Sequence, residues 1–192
     1  MKIGLGINYA GGFKEVVAEV ADLEKAGLDV VLLGGIGTSD ETRFGSTQYA
    51  KVVIGALWGL PPALDIAFEK NVQAAAREVV RAGLASAAHD LSDGGLAVAL
   101  AECCLSGVGA QVELDTNLRA ELALFHEGPS RILVATERAD DVKALAAKHG
   151  VPAVVIGKTG GDRLKIGRWI DAGLAELRDR WQHGLEELLH VR

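Results

Sequence analysis

Apolar and polar residues alternate along this chain with two distinct periods. In "FKEVVAEVADLEKAG", Val16, Val17, Val20 and Leu23 follow a helical spacing, and Gly27 marks a helix end. With the short apolar run "KIGLGI" before it and "LDVVLLGG" after it, this predicts a β-α-β unit with parallel strands. The polar stretch "IGTSDETRFGSTQYAK" reads as a loop, and the apolar "AKVVIGALWG" fits a helix or a strand, with the helix favoured. After the Pro61-Pro62 break, a long amphipathic helix starts near Asp65 or Ile66 and stops at Gly83. "LASAAHD" is then a short strand. "GLAVALAECCLSG" is a helix apolar nearly all round, so it must be buried on most sides.

The second half changes rhythm. "GAQVELD" and "RILVAT" read as strands, and "DDVKALAAKHG" as a helix behind an Asp cap. "PAVVIGKTGGDRLKI" reads as a strand, a hairpin turn and a strand. The tail "IDAGLAELRDRWQHGLEELLHV" reads as one further amphipathic helix. Irregular alternation of strands and helices predicts an α/β or α+β domain layered around a mixed sheet.

One stretch carries more polar and flexible residues than its position requires. In "AHDLSDGGLA", residues 88–97, Ser92 or Asp93 can cap the helix that begins near Gly95. Capping leaves Asp90 and the pair Gly94-Gly95 unexplained, since glycine weakens a helix where alanine would serve. The second reading is a phosphate approaching the helix N-terminus, with Asp90 at the strand end holding a cation against it. Residue types alone leave both readings open.

Other motifs carry less. "IGKTGGDR" lacks the first glycine of a phosphate-binding loop, whose position is Pro152, and a strand pattern follows it. "GLGINYAGG" has Tyr9 where a dinucleotide fingerprint needs glycine. The histidines 89, 126, 149, 183 and 190 and the cysteines 103 and 104 show no metal-ligand spacing. No serine sits in a nucleophile elbow, so no catalytic residue is assigned.

Composition narrows the class. The chain has 192 residues, 49% hydrophobic and 24% charged, with a formal net charge of −6. That suits a globular core and disfavours nucleic acid as a partner. No apolar run reaches the length of a membrane span, and the start has no secretory pattern, so a cytoplasmic location is expected. Cys103 and Cys104 are neighbours and cannot frame a disulfide scaffold, which suits a reducing compartment.

From about Val30 onward, the segments "VVLLGG", "FGSTQYAK", "LPPALDIAFEKNVQ", "AAHDLSDGGLAVALAE", "LFHEGPSRILV", "IGKTGGDRLKI" and "LAELRDRW" follow in one order. Together they resemble the last domain of phosphoribosylformylglycinamidine synthase of the PurL type, a ligase of purine biosynthesis. The resemblance implies the C-terminal fold shared with AIR synthetase (PurM): a mixed sheet layered with helices, partly ferredoxin-like. It implies a part in ATP-dependent amidation of formylglycinamide ribonucleotide, inactive in isolation because the catalytic half-domains are missing. By the same resemblance Asp90 is a Mg²⁺ ligand, and Ser92 with Gly94 and Gly95 meets the phosphate of ATP or ADP. Asp65 and Glu127 match substrate-contacting positions more weakly. Gln48 stands where the family often has Glu. The implied partners are the other half-domains of the parent enzyme, or a second copy of the chain.

Residues 1–29 resemble something else, the first β-α unit of luciferase-like (βα)₈ flavin or deazaflavin oxidoreductases. A boundary between 1–29 and 30–192 therefore suggests a chimera. One β-α unit of eight cannot build a flavin site. The alternative to a synthase domain is accordingly a chimeric or designed scaffold without ligand.

Overall fold

The computed structural model describes residues 27–36 and 61–190. Strands β1 (Asp29–Leu33), β2 (Ala87–Asp90), β3 (Ala110–Val112), β4 (Ile132–Thr136), β5 (Ala153–Thr159), β6 (Arg163–Ile166) and β7 (Ile170–Gly173) form one sheet. Its order is β2-β4-β1-β5-β3-β6-β7. Only β3 and β6 run parallel; every other neighbouring pair is antiparallel. The helices are α1 (Ile66–Arg81), α2 (Gly95–Cys104), α3 (Ala120–Phe125), α4 (Ala139–Lys148) and α5 (Leu174–His190).

Strand β4 lies between β1 and β2, so β1-α1-β2 and β4-α4-β5 interleave as two split β-α-β units. This is the ferredoxin-like part. The two-residue period of β1 divides its side chains between two cores. Val31 and Leu33 pack with Val72, Ala75 and Val79 of α1 and with Val142, Leu145 and Ala146 of α4. Val30 and Leu32 face the other way, onto Leu96 and Leu100 of α2 and Leu133 of β4. Each such side chain contributes about 1.5–3 kcal/mol by leaving water. The apolar α2 is buried at seven of its ten positions, as its sequence requires.

Helix α1 begins behind Asp65, whose Oδ1 accepts from Phe68 N at 3.0 Å. It ends where Gly83, at φ 65°, lets its own N–H reach Val80 O and that of Leu84 reach Val79 O. Both ends agree with the sequence.

Four local expectations are corrected. The Gly160-Gly161 turn does not close a hairpin, because β3 is inserted between β5 and β6. Gly109, leading into β3, instead donates to Gly161 O and accepts from Gly160 N. The true hairpin is β6-β7, joined by residues 167–169, so "IDAG" is a strand and the last helix starts at Leu174. Helix α4 has Arg138 at its N-cap, with Asp140 and Asp141 inside the first turn, where they favour the positive end of the helix dipole. The short helix α3 has no counterpart among the elements read from sequence. The elements expected before Gly27 and between residues 37 and 60 lie outside the described residues.

Candidate functional site

The segment His126–Arg131, "HEGPSR", gathers the ends of four elements. Glu127 Oε1 accepts from Gly94 N at 2.9 Å, at the head of α2. Ser130 donates from Oγ to Glu69 Oε2 at 2.6 Å, on the first turn of α1. Arg131 O accepts from Leu91 N at 3.0 Å, just past β2. Arg131 also donates from Nη1 to Ile36 O at 3.1 Å, just past β1. Ser130 alone among the described non-glycine residues has a positive φ, 65°. A conformation this unfavourable persists only where surrounding contacts impose it.

Those contacts explain the two glycines. Gly94 is the N-cap of α2, at φ 79°, with no side-chain cap of its own. Neither Ser92 nor Asp93 supplies the cap expected from sequence; the partner at this helix end is the carboxylate of Glu127. A negative charge there is favourable against the helix dipole. Gly95 has φ 66°, and a Cβ on it would lie 2.6 Å from His126 O, 2.8 Å from Phe125 C and 2.9 Å from Leu124 O. Protein backbone, not open space, presses on this glycine. Gly95 is therefore required by packing and Gly94 by its left-handed backbone, and the presence of the pair alone is no sign of a phosphate.

The remaining candidates sit around this hub. Ser92 and Asp93 are exposed on the turn between β2 and α2. Asp90 is exposed at the end of β2 and borders an open groove of about 400 Å³, with Gln73 and Arg77 of α1 opposite and Ala76, Ala88 and Ile132 among its apolar lining. Its neighbour His89 turns toward α2, with Nε2 3.4 Å from Glu102 Oε2. The structure thus brings Glu127 and Gly94 together, sets Ser92 beside them, and points Asp90 at the α1 side. Asp65 spends its carboxylate on the α1 cap, one turn before the Glu69–Ser130 bond.

Two residues of the hub were not among the site residues expected from the sequence. Arg131, 5% exposed, donates to Gly128 O at 3.2 Å, to Ile36 O and to His126 O. Burial pulls its guanidinium down to about 10, which leaves it charged at neutral pH. His126 is buried, and desolvation, reinforced by the Arg131 charge, lowers it to about 4, so it is neutral at pH 7. Its ring fills the space where Gly128 would otherwise carry a side chain. A charged residue opening an apolar strand, "RILVAT", was the one available hint of Arg131. Cys103 and Cys104 are buried thiols pushed up by burial to about 12 and about 11, so neither is a nucleophile at neutral pH.

No cluster of three or more potential metal ligands occurs among the described residues. Asp90 alone suits a Mg²⁺ ion that arrives with a phosphate, since such ions take one or two carboxylates and complete their shell with phosphate oxygens and water. It does not make a resident cation cage.

Known proteins resemble this chain over most of its length. A family model described as AIR synthase related protein, C-terminal domain, matches residues 10–169. The phosphoribosylformylglycinamidine synthase subunit PurL of Moorella thermoacetica is 47% identical over 154 residues, which is 77% of this chain and 21% of that protein. The subunit of the same name from an Anaeromyxobacter species is 41% identical over 174 residues, 84% of this chain and 22% of that protein. The chain thus spans about a fifth of the length of these relatives. Among solved structures, T. maritima PurL complexed with FGAR has a TM-score of 0.64 at 22% identity, covering 81% of this chain and 28% of that one. The complex of the same protein with ATP gives 0.63 at 24% identity over 81% of this chain and 26% of that one. At these identities the structures establish the fold. It is the layered mixed sheet, partly ferredoxin-like, that the sequence implied.

Proposed function

Because the chain belongs to the family of AIR synthase related protein C-terminal domains, we propose that it serves as the C-terminal domain of a PurL-type phosphoribosylformylglycinamidine synthase. In that reading it supports ATP-dependent amidation of formylglycinamide ribonucleotide and is inactive without the half-domains that surround it in a longer enzyme. The supporting observation is the hub at residues 126–131, which binds the "DLSDGG" turn at Leu91 and Gly94 and ties it to the ends of β1 and α1. A turn held this firmly presents Ser92 at a fixed position on the surface.

The roles within that reading are specific. Ser92 contacts a nucleotide phosphate, with the Gly94-Gly95 backbone behind it, and Asp90 holds the Mg²⁺ that the nucleotide brings. Solved structures of T. maritima PurL complexed with ATP and with ADP support a nucleotide as the family's ligand. Glu127 acts as a positioning residue for the turn rather than as a substrate contact, because its carboxylate is engaged at Gly94. Asp65 is the weakest of the candidates. The division into an appended unit 1–29 and a domain 30–192 remains part of this proposal; β1, a central strand, begins at Asp29.

Calorimetric titration with Mg-ADP tests the nucleotide site. The chain should release or take up heat on binding, and Asp90→Ala and Ser92→Ala should each weaken the affinity about tenfold or more, the loss of one charge-assisted contact. Equal heats in all three proteins would remove the site.

A further inference from the structure

The groove beside Asp90 takes its lining from α1, β2 and β4. On α1 the spacing Gln73, Ala76, Arg77, Val80 puts four residues on one helix face, and that face forms one wall. Asp90 stands on the other. Arg77 and the Asp90 carboxylate carry opposite charges and share the groove, yet they form no ion pair with each other. Neither takes a side-chain hydrogen bond or ion pair elsewhere among the described residues.

The carboxylates of α1 on either side of Arg77 are already engaged. Glu69 accepts from Ser130 Oγ and from Gln73 Nε2, each at 2.6 Å. Glu78 Oε2 lies 2.6 Å from His149 Nε2, just past α4. Arg77 therefore keeps its full set of donors for the groove. Because Gln73 spends its amide nitrogen on Glu69, the amide oxygen is what it can offer there, an acceptor suited to the water shell of an ion. A cation on one wall and a carboxylate on the other, left unbridged, fit a ligand that carries both charges. A magnesium-bound phosphate is such a ligand: the metal takes one or two carboxylates, and guanidinium binds phosphate oxygens in pairs.

We propose that Arg77 is a phosphate-binding residue, and that the phosphates of a Mg²⁺-bound nucleotide lie in this groove, between Arg77 and the ion held at Asp90. The inference rests on the nucleotide reading of Asp90 and Ser92, and adds the side on which the phosphates lie.

Calorimetric titration of the full chain with Mg-ADP and with Mg-pyrophosphate tests it. Arg77→Gln keeps a good helix former at an exposed position, so thermal unfolding should be unchanged. It should weaken both ligands about tenfold or more, and Arg77→Lys should recover only part of that, lacking the planar fork. Arg81→Gln removes the same charge one turn on, outside the groove, and should stay within about twofold of the unaltered chain. Equal weakening by Arg77→Gln and Arg81→Gln would reduce the effect to net charge and overturn the proposal. So would a loss for Mg-ADP with none for Mg-pyrophosphate, which would put Arg77 on the nucleoside. If Asp90→Ala and Ser92→Ala weaken binding and Arg77→Gln does not, this inference fails while the nucleotide site stands. No binding by the unaltered chain removes both.

Discussion

Replacing Arg131 with alanine should cost about 3–5 kcal/mol of folding stability, a large share of the ~5–15 kcal/mol that a domain possesses. The guanidinium is buried at the head of β4, and its planar fork reaches three backbone carbonyls, those of His126, Gly128 and Ile36. A hydrogen bond to a charged group is worth about 1.5–3 kcal/mol, and a carbonyl left buried without its donor costs a comparable amount. Arg131→Lys should recover only part of the loss, because an ammonium on a flexible stem cannot span three fixed directions at once. Urea unfolding followed by circular dichroism checks both variants. A loss under about 1 kcal/mol for the alanine variant would mean that residues 126–131 hold their shape without the guanidinium.

Gly95→Ala should be nearly as damaging, and more so than Gly94→Ala. Forcing a Cβ into the left-handed region costs roughly 1–2 kcal/mol at either position. At Gly95 the added methyl also meets three backbone atoms of residues 124–126, the nearest at 2.6 Å, and such overpacking adds roughly 1–3 kcal/mol. At Gly94 the methyl meets Val98 of the same helix, with Cγ2 nearest and Cβ at 2.7 Å; rotation clears only the Cγ atoms, and relieving Cβ takes a shift of the helix's own first turn rather than of the packed 124–126 backbone. The same unfolding measurement ranks the two. If Gly94→Ala proves the worse, the approach of the 124–126 backbone is not what selects glycine at Gly95.

These two residues also mark the limit of what could be read in the sequence. Elements whose signals are local were legible. The α1 cap at Asp65 and stop at Gly83, the all-round apolar α2 and the strands β1, β2, β4 and β5 follow from spacing and turn chemistry within a few residues. What failed depends on residues far apart. Nothing within "IGKTGGDRLKI" says that β3, back at Ala110–Val112, enters between its two strands. "IDAG" reads as a helix start until Arg163 of β6 is placed beside Asp171, at 2.6 Å.

The candidate site divides in the same way. Asp90, Ser92 and the glycine pair stood out as a turn with more polar and flexible residues than a cap needs. The partner that completes the turn, Glu127, lies 33 residues further along. Its link to Gly94 is a fact of folding that no local pattern encodes. The glycines then acquire reasons different from the one their neighbourhood suggested: Gly95 admits the 124–126 backbone, and Gly94 takes the left-handed φ at which its N–H meets Glu127.

The claim that this chain is a working PurL-type C-terminal domain is tested most directly by transplantation. Residues 30–192 would replace the matching domain of a full-length PurL-type synthase. The hybrid would be assayed for ATP-dependent amidation of formylglycinamide ribonucleotide, beside a recipient lacking the domain altogether. The fold and the "DLSDGG" turn held by Glu127 and Arg131 predict a soluble hybrid with measurable turnover where the truncated recipient has none. A hybrid that folds cooperatively, binds its substrates and shows no turnover above the truncated recipient would contradict that account.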